Sequence, residues 1–243
     1  MSTLLTLITA NNGKIQRSAL EVLSRNNELA AANGHDSVAL IMDPSASGLV
    51  DQVKKYGPDA IYTMEDPIFK NHLNQPVVRG LSVAIEKIQP SLVAMGSSES
   101  SKDVLGAIAA NVGAPALADM SEYELTENGV KGKRPVMASK IISNVEAEGS
   151  PVVITVRSGS YDAAEKESDP TVDAIDFSFD ETDLRITLKE IIGASGDKID
   201  LSEAETVIAA GRGAKDEDAR KMIDELADVL GAAIGASRAL TEA

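Results

Sequence analysis

The chain contains no cysteine. Disulfides, thiolate-bound zinc, cysteine-held iron–sulfur clusters and thiol nucleophiles are excluded together. Tryptophan is also absent and aromatics reach only 3% of residues, so the core must be built from Val, Ile, Leu and Ala. Two histidines occur, His35 in the turn Asn33-Gly34-His35-Asp36 and His72 in the polar stretch Lys70-Asn71-His72-Leu73-Asn74. They are too few and too scattered for a histidine metal site. Neither lies near a G-x-S-x-G elbow, which argues against Ser-His-Asp hydrolysis. Positive charge is scarce as well, with 23 Lys and Arg against 38 Asp and Glu, a net charge of −15. Without a basic stripe nothing displaces counterions from phosphates, which excludes nucleic acid as a partner. No apolar run approaches the roughly 18 residues of a membrane-spanning helix, so no membrane insertion is expected. The start, Met1-Ser2-Thr3-Leu4-Leu5, lacks the basic flank of a signal peptide, and no transit peptide is seen. The expected location is the cytoplasm, or the mitochondrial matrix in a eukaryote.

What is present alternates. Short apolar runs at 4–8, 38–42, 60–63 and 92–95 read as strands, separated by helical patterns at 16–33, 49–56, 77–88 and 100–111. Continuous apolar strands between helices predict an α/β fold, a mostly parallel sheet with helices on both faces. From about residue 119 the pattern changes. A weak alternation at 121–126, the turn Glu127-Asn128-Gly129, an extended stretch at 135–145 and the apolar run 152–156 read as antiparallel additions. The acidic stretch 163–170 reads as an exposed loop, and 173–179 and 185–191 as two more strands. Beyond a linker at 193–198 comes a strand at 206–210, an amphipathic helix at 217–230 and a strand at 232–236. A lone β-α-β unit cannot bury its own sheet edges. The expected division is therefore an N-terminal α/β domain over 1–193, and a linker plus the incomplete start of a second α/β domain over 194–243.

Between the last two strands and their following segments lie the residues best suited to chemistry. Gly211-Arg212-Gly213 sits at a strand-to-helix turn, where glycine lets backbone approach a phosphate or ring, a helix N-terminus favours anions and Arg212 adds a charge-assisted contact. The plain alternative is a tight turn with a solvated arginine. Ser237 and Arg238 leave the next strand at the same sheet edge, beyond the carboxyl ends of parallel strands where ligands sit in open sheets. A surface arginine at a strand end is the alternative there. Arg134-Pro135 and Lys140 read as a surface strand or a partner-facing one. Ser97, Ser98, Ser100 and Ser101 read as helix-capping residues or an anion site, capping being the commoner use.

Several segments, taken in order, resemble one family. They are Gly96-Ser97-Ser98-Glu99-Ser100-Ser101-Lys102-Asp103, Arg134-Pro135-Val136-Met137-Ala138-Ser139-Lys140 and Val156-Arg157-Ser158-Gly159-Ser160-Tyr161-Asp162-Ala163-Ala164. The stretch from Asp200 through Ala210-Gly211-Arg212-Gly213-Ala214-Lys215 follows, then Leu226-Ala227-Asp228 and Gly231 through Ser237-Arg238-Ala239. The chain resembles an electron-transfer flavoprotein alpha subunit, with residues 1–193 as its partner-binding domain and residues 194–243 as the beginning of its FAD-binding domain. The resemblance implies an electron carrier rather than an enzyme with its own substrate. It implies FAD as cofactor, the electron-transfer flavoprotein beta subunit as partner, flavin dehydrogenases such as acyl-CoA dehydrogenases as donors, and an acceptor such as a quinone-reducing protein. It also implies that Gly211, Arg212, Gly213, Ser237 and Arg238 contact FAD, with Arg238 close to the isoalloxazine ring. Ala210 departs from the family's Gly-Gly-Arg-Gly turn. Family members continue past the position of Ala243 with further FAD contacts, so only part of the cradle is expected within these residues. The other readings are a non-catalytic interaction module that binds no flavin, and an unrelated nucleotide-binding α/β protein.

Overall fold

The computed structural model describes residues 2–179, 184, 186–190, 201 and 204–241, Asn71 by its backbone alone. It comprises two compact units, Met1–Glu190 and Ile191–Ala243.

The first unit is built around β1 (Thr3–Ile8). A small hairpin, β2 (Ala10–Asn11) and β3 (Lys14–Ile15), leads into α1 (Arg17–Asn33). Next come β4 (Asp36–Asp43), α2 (Ala46–Lys54) and β5 (Ala60–Glu65), which extend the sheet to one side. After α3 (Ile68–Asn71), α4 (Asn74–Ile88) returns the chain to β6 (Leu92–Gly96), on the other side of β1. Then follow α5 (Glu99–Val112), β7 (Ala116–Met120), β8 (Glu122–Thr126), β9 (Gly129–Val136), β10 (Ile141–Glu148), β11 (Val152–Val156) and β12 (Thr171–Ala174). The main sheet has seven strands in the order β12-β5-β4-β1-β6-β11-β7, and every neighbouring pair is parallel.

Strand side chains alternate between two buried faces, which is why the apolar runs are continuous. Leu5 and Leu7 of β1 and Val93 and Met95 of β6 pack against Leu81 and Ile85 of α4 and Leu105 and Ile108 of α5. On the opposite face, Ile8, Ala39, Ile41 and Ile61 pack against Leu23 of α1 and Leu49 and Val53 of α2. Leu4, Leu92 and Ile154 meet Val22 of α1 together with Tyr123 and Val130. Those last two residues belong to β8 and β9, which with β10 form a separate antiparallel sheet in the order β10-β9-β8. One face of the main sheet is thus covered by helices together with Ile175 and Phe177 of the segment after β12, the other by helices and this small sheet.

The α/β architecture, its mostly parallel sheet and the antiparallel additions agree with the sequence. Three local readings do not. The run 152–156 is a parallel strand threaded between β6 and β7, not an antiparallel one. The stretch 135–145 is broken by Met137, Ala138 and Ser139, all with positive φ, into the ends of two strands. Strand pairing at 173–179 stops at Ala174. Of the strand expected at 185–191, Arg185 and Ile191 lie outside the described residues, as does the linker 193–198. An isolated antiparallel bridge joins Thr187 to His72, whose Nδ1 is 2.9 Å from the Ile186 carbonyl oxygen.

A buried polar relay fixes the small sheet to the large one. Asn26 Nδ2 donates to Thr6 Oγ1 at 2.8 Å, and the Tyr123 hydroxyl donates to Asn26 Oδ1 at 2.8 Å. All three residues are fully buried. The Tyr161 hydroxyl accepts from the Tyr123 backbone N–H at 3.0 Å, and the Arg25 guanidinium lies over both rings. Burial, reinforced by the field of Tyr161 and opposed by Arg25, pushes the Tyr123 phenol well above its ordinary 10.0. The folded state therefore resists ionisation at Tyr123 more than the unfolded chain does. Its contribution to stability is complete below the unfolded value and is lost as pH rises beyond it. The melting temperature is expected to fall above about pH 10, and Tyr123→Phe to flatten that fall, in thermal scans at stepped alkaline pH.

Candidate functional site

The second unit holds the residues with chemistry to offer. β13 (Val207–Ala210) and β14 (Ala233–Ala236) are parallel, with Ala210 opposite Ala236 at the carboxyl end of the pair. α6 (Glu217–Leu230) crosses between them, and the short α7 (Arg238–Thr241) follows β14. Apolar Ile223 and Ala227 of α6 recur at helical spacing and Ala227 is buried, whereas Met222, Leu226, Val229 and Leu230 stay exposed. Val207 and Ile234, on the strands, are exposed too.

The two strand ends are tied together. The Ser237 N–H donates to the Ala210 carbonyl at 2.9 Å, and the Ala214 N–H closes the turn onto the Gly211 carbonyl at 3.0 Å. Gly211, Arg212 and Gly213 therefore lie on the same edge as Ser237 and Arg238, and all five are exposed. A Cβ added at Gly211 or Gly213 would meet nothing within 4 Å, and neither glycine has a positive φ. The glycines are thus not demanded by packing or by backbone handedness. What they leave is bare backbone facing open space. Ala210 lies in regular strand with no positive φ, so an alanine there costs nothing relative to glycine.

One expectation changes. The N-terminus of α6 is already occupied by the chain's own carboxylates: Asp216 Oδ1 accepts from the Ala219 N–H at 2.7 Å, and Glu217 and Asp218 fill the first turn. The helix dipole is therefore directed at these acids. An anion at this edge would be held by Arg212, Arg238, the Ser237 hydroxyl and the open turn. These groups fit one flank of a planar, anionic cofactor: two guanidinium groups for charge, a hydroxyl for a hydrogen bond, and a turn without side chains for close approach.

The serine cluster of the first unit does other work. Ser98 and Ser101 form a reciprocal capping box on α5. A Cβ at Gly96 would come within 2.6 Å of Ser18 Oγ, so that glycine serves the packing of β6 against α1. Ser97 Oγ donates to Asp119 Oδ1 at 2.9 Å. Asp119 adopts φ 58° while its N–H donates to Thr155 Oγ1 at 2.8 Å and Arg157 Nη1 approaches Oδ2 at 3.9 Å. The sequence carries no signal for this group, because left-handed aspartate is set by its neighbours in space. His35 is half-buried with Nδ1 unpartnered, and no three His, Asp or Glu side chains among the described residues gather as a metal set.

Comparison with known proteins assigns both units. Residues 4–181 match the family model described as the electron transfer flavoprotein domain, and residues 200–243 match the electron transfer flavoprotein FAD-binding domain. The electron transfer flavoprotein subunit alpha of Bacillus subtilis is 27% identical over 234 residues, covering 96% of this chain and 71% of that protein. The subunit alpha of Mycobacterium leprae is 28% identical over 243 residues, covering 100% of this chain and 74% of that protein. A third relative is subunit LctC of the lactate dehydrogenase (NAD(+),ferredoxin) of Acetobacterium woodii. It is 31% identical over 235 residues, and the match covers 95% of this chain but 56% of that protein. Matched over most of its length by the first model and from residue 200 onward by the second, the chain belongs to the electron transfer flavoprotein family as a chain of the alpha-subunit type.

Proposed function

We propose that this chain is the alpha-type subunit of a heterodimeric flavoprotein that carries electrons from flavin dehydrogenases, such as acyl-CoA dehydrogenases, to an acceptor. In this reading residues 1–193 seat the beta subunit, and residues 194–243 are the linker and the opening of the FAD-binding domain. The observation that supports it best is the convergence of Arg212, Ser237 and Arg238 on one strand edge beside an open glycine turn. Bound FAD supplies the redox chemistry. The chain supplies position and field: Arg212 holds an anionic part of the cofactor by charge-assisted hydrogen bonds, and Ser237 adds a hydroxyl contact. The bare backbone of Gly211 and Gly213 admits it closely. Arg238 keeps a fixed positive charge near the ring, where negative charge grows on reduction. The Bacillus subtilis and Mycobacterium leprae relatives are named as alpha subunits, which supports a beta partner.

The test is an anaerobic reduction of the chain co-purified with its beta-type subunit. Adding an acyl-CoA dehydrogenase with its substrate should bleach the flavin band of the complex, and neither reagent alone should do so. A flavin-loaded complex that no flavin dehydrogenase reduces would remove the electron-carrier reading.

A further inference from the structure

The β9–β10 hairpin ends in a surface that neither the fold nor the flavin site uses. Met137, Ile141 and Ile142 are 72%, 53% and 56% exposed. They cluster around the left-handed turn Met137-Ala138-Ser139, and Ile141 and Ile142 pair with Val136 and Pro135 across the hairpin. Residues 129–145 carry Lys131, Lys133, Arg134 and Lys140 and no acid, in a chain of net charge −15. Lys131 and Lys133 are neutralised by Glu124 and Glu122 on β8. Toward the tip the compensation ends. Arg134 Nε is buried with no hydrogen-bond partner, and Lys140 is exposed with no ion pair among the described residues. Arg157 lies beside the turn, its Nη1 3.4 Å from Ser139 Oγ, but its charge is shared with Asp119 Oδ2 at 3.9 Å.

We propose that this hairpin tip is a docking surface for the beta subunit, which would present an apolar patch rimmed by carboxylates. The assignment rests on the heterodimer reading above. Exposed aliphatics beside an arginine whose Nε lacks a partner have the composition of a permanent interface core, with lysine at the rim. A second copy of this chain fits poorly. A two-fold contact through this patch would set Arg134 and Lys140 against their own counterparts, and like charges across an interface are repulsive. Acidic residues on the partner instead complete Arg134 and steer the approach.

The experiment measures binding of the full chain to the beta-type subunit of the same organism, by calorimetry or surface capture. Met137→Asp and Ile142→Asp should each weaken binding roughly 30-fold or more, the effect of losing an interface hot spot. Both positions are exposed, so the melting temperature of the isolated chain should not change. Arg134→Glu with Lys140→Glu should slow association and abolish its salt dependence. Val172→Asp, at an exposed position on β12 at the far edge of the sheet, should bind like wild type. If the hairpin variants bind as tightly as wild type, the docking surface is wrong while the heterodimer stands. A wild-type chain that fails to bind the beta-type subunit overturns the heterodimer reading and this surface with it. Loss of a wild-type self-association in the hairpin variants, seen by sedimentation, would assign the patch to a second copy instead.

Discussion

Arg238→Ala should lower the potential of the flavin in the assembled heterodimer by roughly 30–60 mV for the two-electron couple, corresponding to about 1.4–3 kcal/mol of lost charge stabilisation. The size is that expected if, as proposed, the Arg238 guanidinium lies beside the flavin ring, where the effective dielectric is below that of water. Arg238 begins α7 directly after Ser237, whose N–H is anchored to the Ala210 carbonyl, so its backbone position is fixed by β13. Arg238→Lys keeps the charge but not the planar fork, and should recover part of the shift. Arg212→Ala acts differently. In its proposed role Arg212 holds an anionic part of FAD away from the ring, so its loss should weaken FAD retention and leave the potential nearly unchanged. Spectroelectrochemical titration of the three variants separates the roles. An unchanged potential in Arg238→Ala would remove that residue from the ring's neighbourhood.

Asn26→Ala should cost about 2–5 kcal/mol of stability in the first unit, because two buried hydroxyls lose their partner at once. Asn26 is fully buried and bonds both Thr6 on β1 and Tyr123 on β8. Its loss opens a small void and leaves Thr6 Oγ1 and the Tyr123 hydroxyl without that partner. Most of the cost falls on the seam between the small antiparallel sheet and α1. Thr6→Val removes one hydroxyl while keeping its shape, and in combination with Asn26→Leu and Tyr123→Phe it should restore part of the stability by eliminating every unsatisfied group. Chemical denaturation of the single and triple variants checks this. Equal stability of Asn26→Ala and wild type would mean that the relay does not hold the sheets together.

Much of this was readable from local pattern. The helix at 217–230 and its flanking strands followed from apolar spacing and from the glycine-rich turn, both short-range properties. Parallel pairing made the joint position of Gly211-Arg212-Gly213 and Ser237-Arg238 predictable as well, since a β-α-β unit brings both carboxyl ends to one edge. The role of Asp216 was also available, as an aspartate immediately before an acidic first turn. Other features were not legible. A five-residue apolar run such as Val152–Val156 has no mark of parallel or antiparallel pairing, and its partners β6 and β7 are distant in sequence. The turn at Met137-Ala138-Ser139 lacks Gly, Asn or Asp, so nothing announced three left-handed residues. Asp119 is likewise held left-handed by Thr155, Ser97 and Arg157, contacts that only the assembled sheet creates.

The central claim is that the chain holds flavin within a two-subunit complex, and the visible spectrum of the co-expressed, co-purified complex tests it most directly. The expected result is a yellow protein with absorbance at about 380 and 450 nm, the cofactor's own bands. Arg212→Ala should lose that colour on dialysis more readily than wild type. A colourless wild-type complex, in which both subunits are present but no flavin is released on denaturation, would contradict the account.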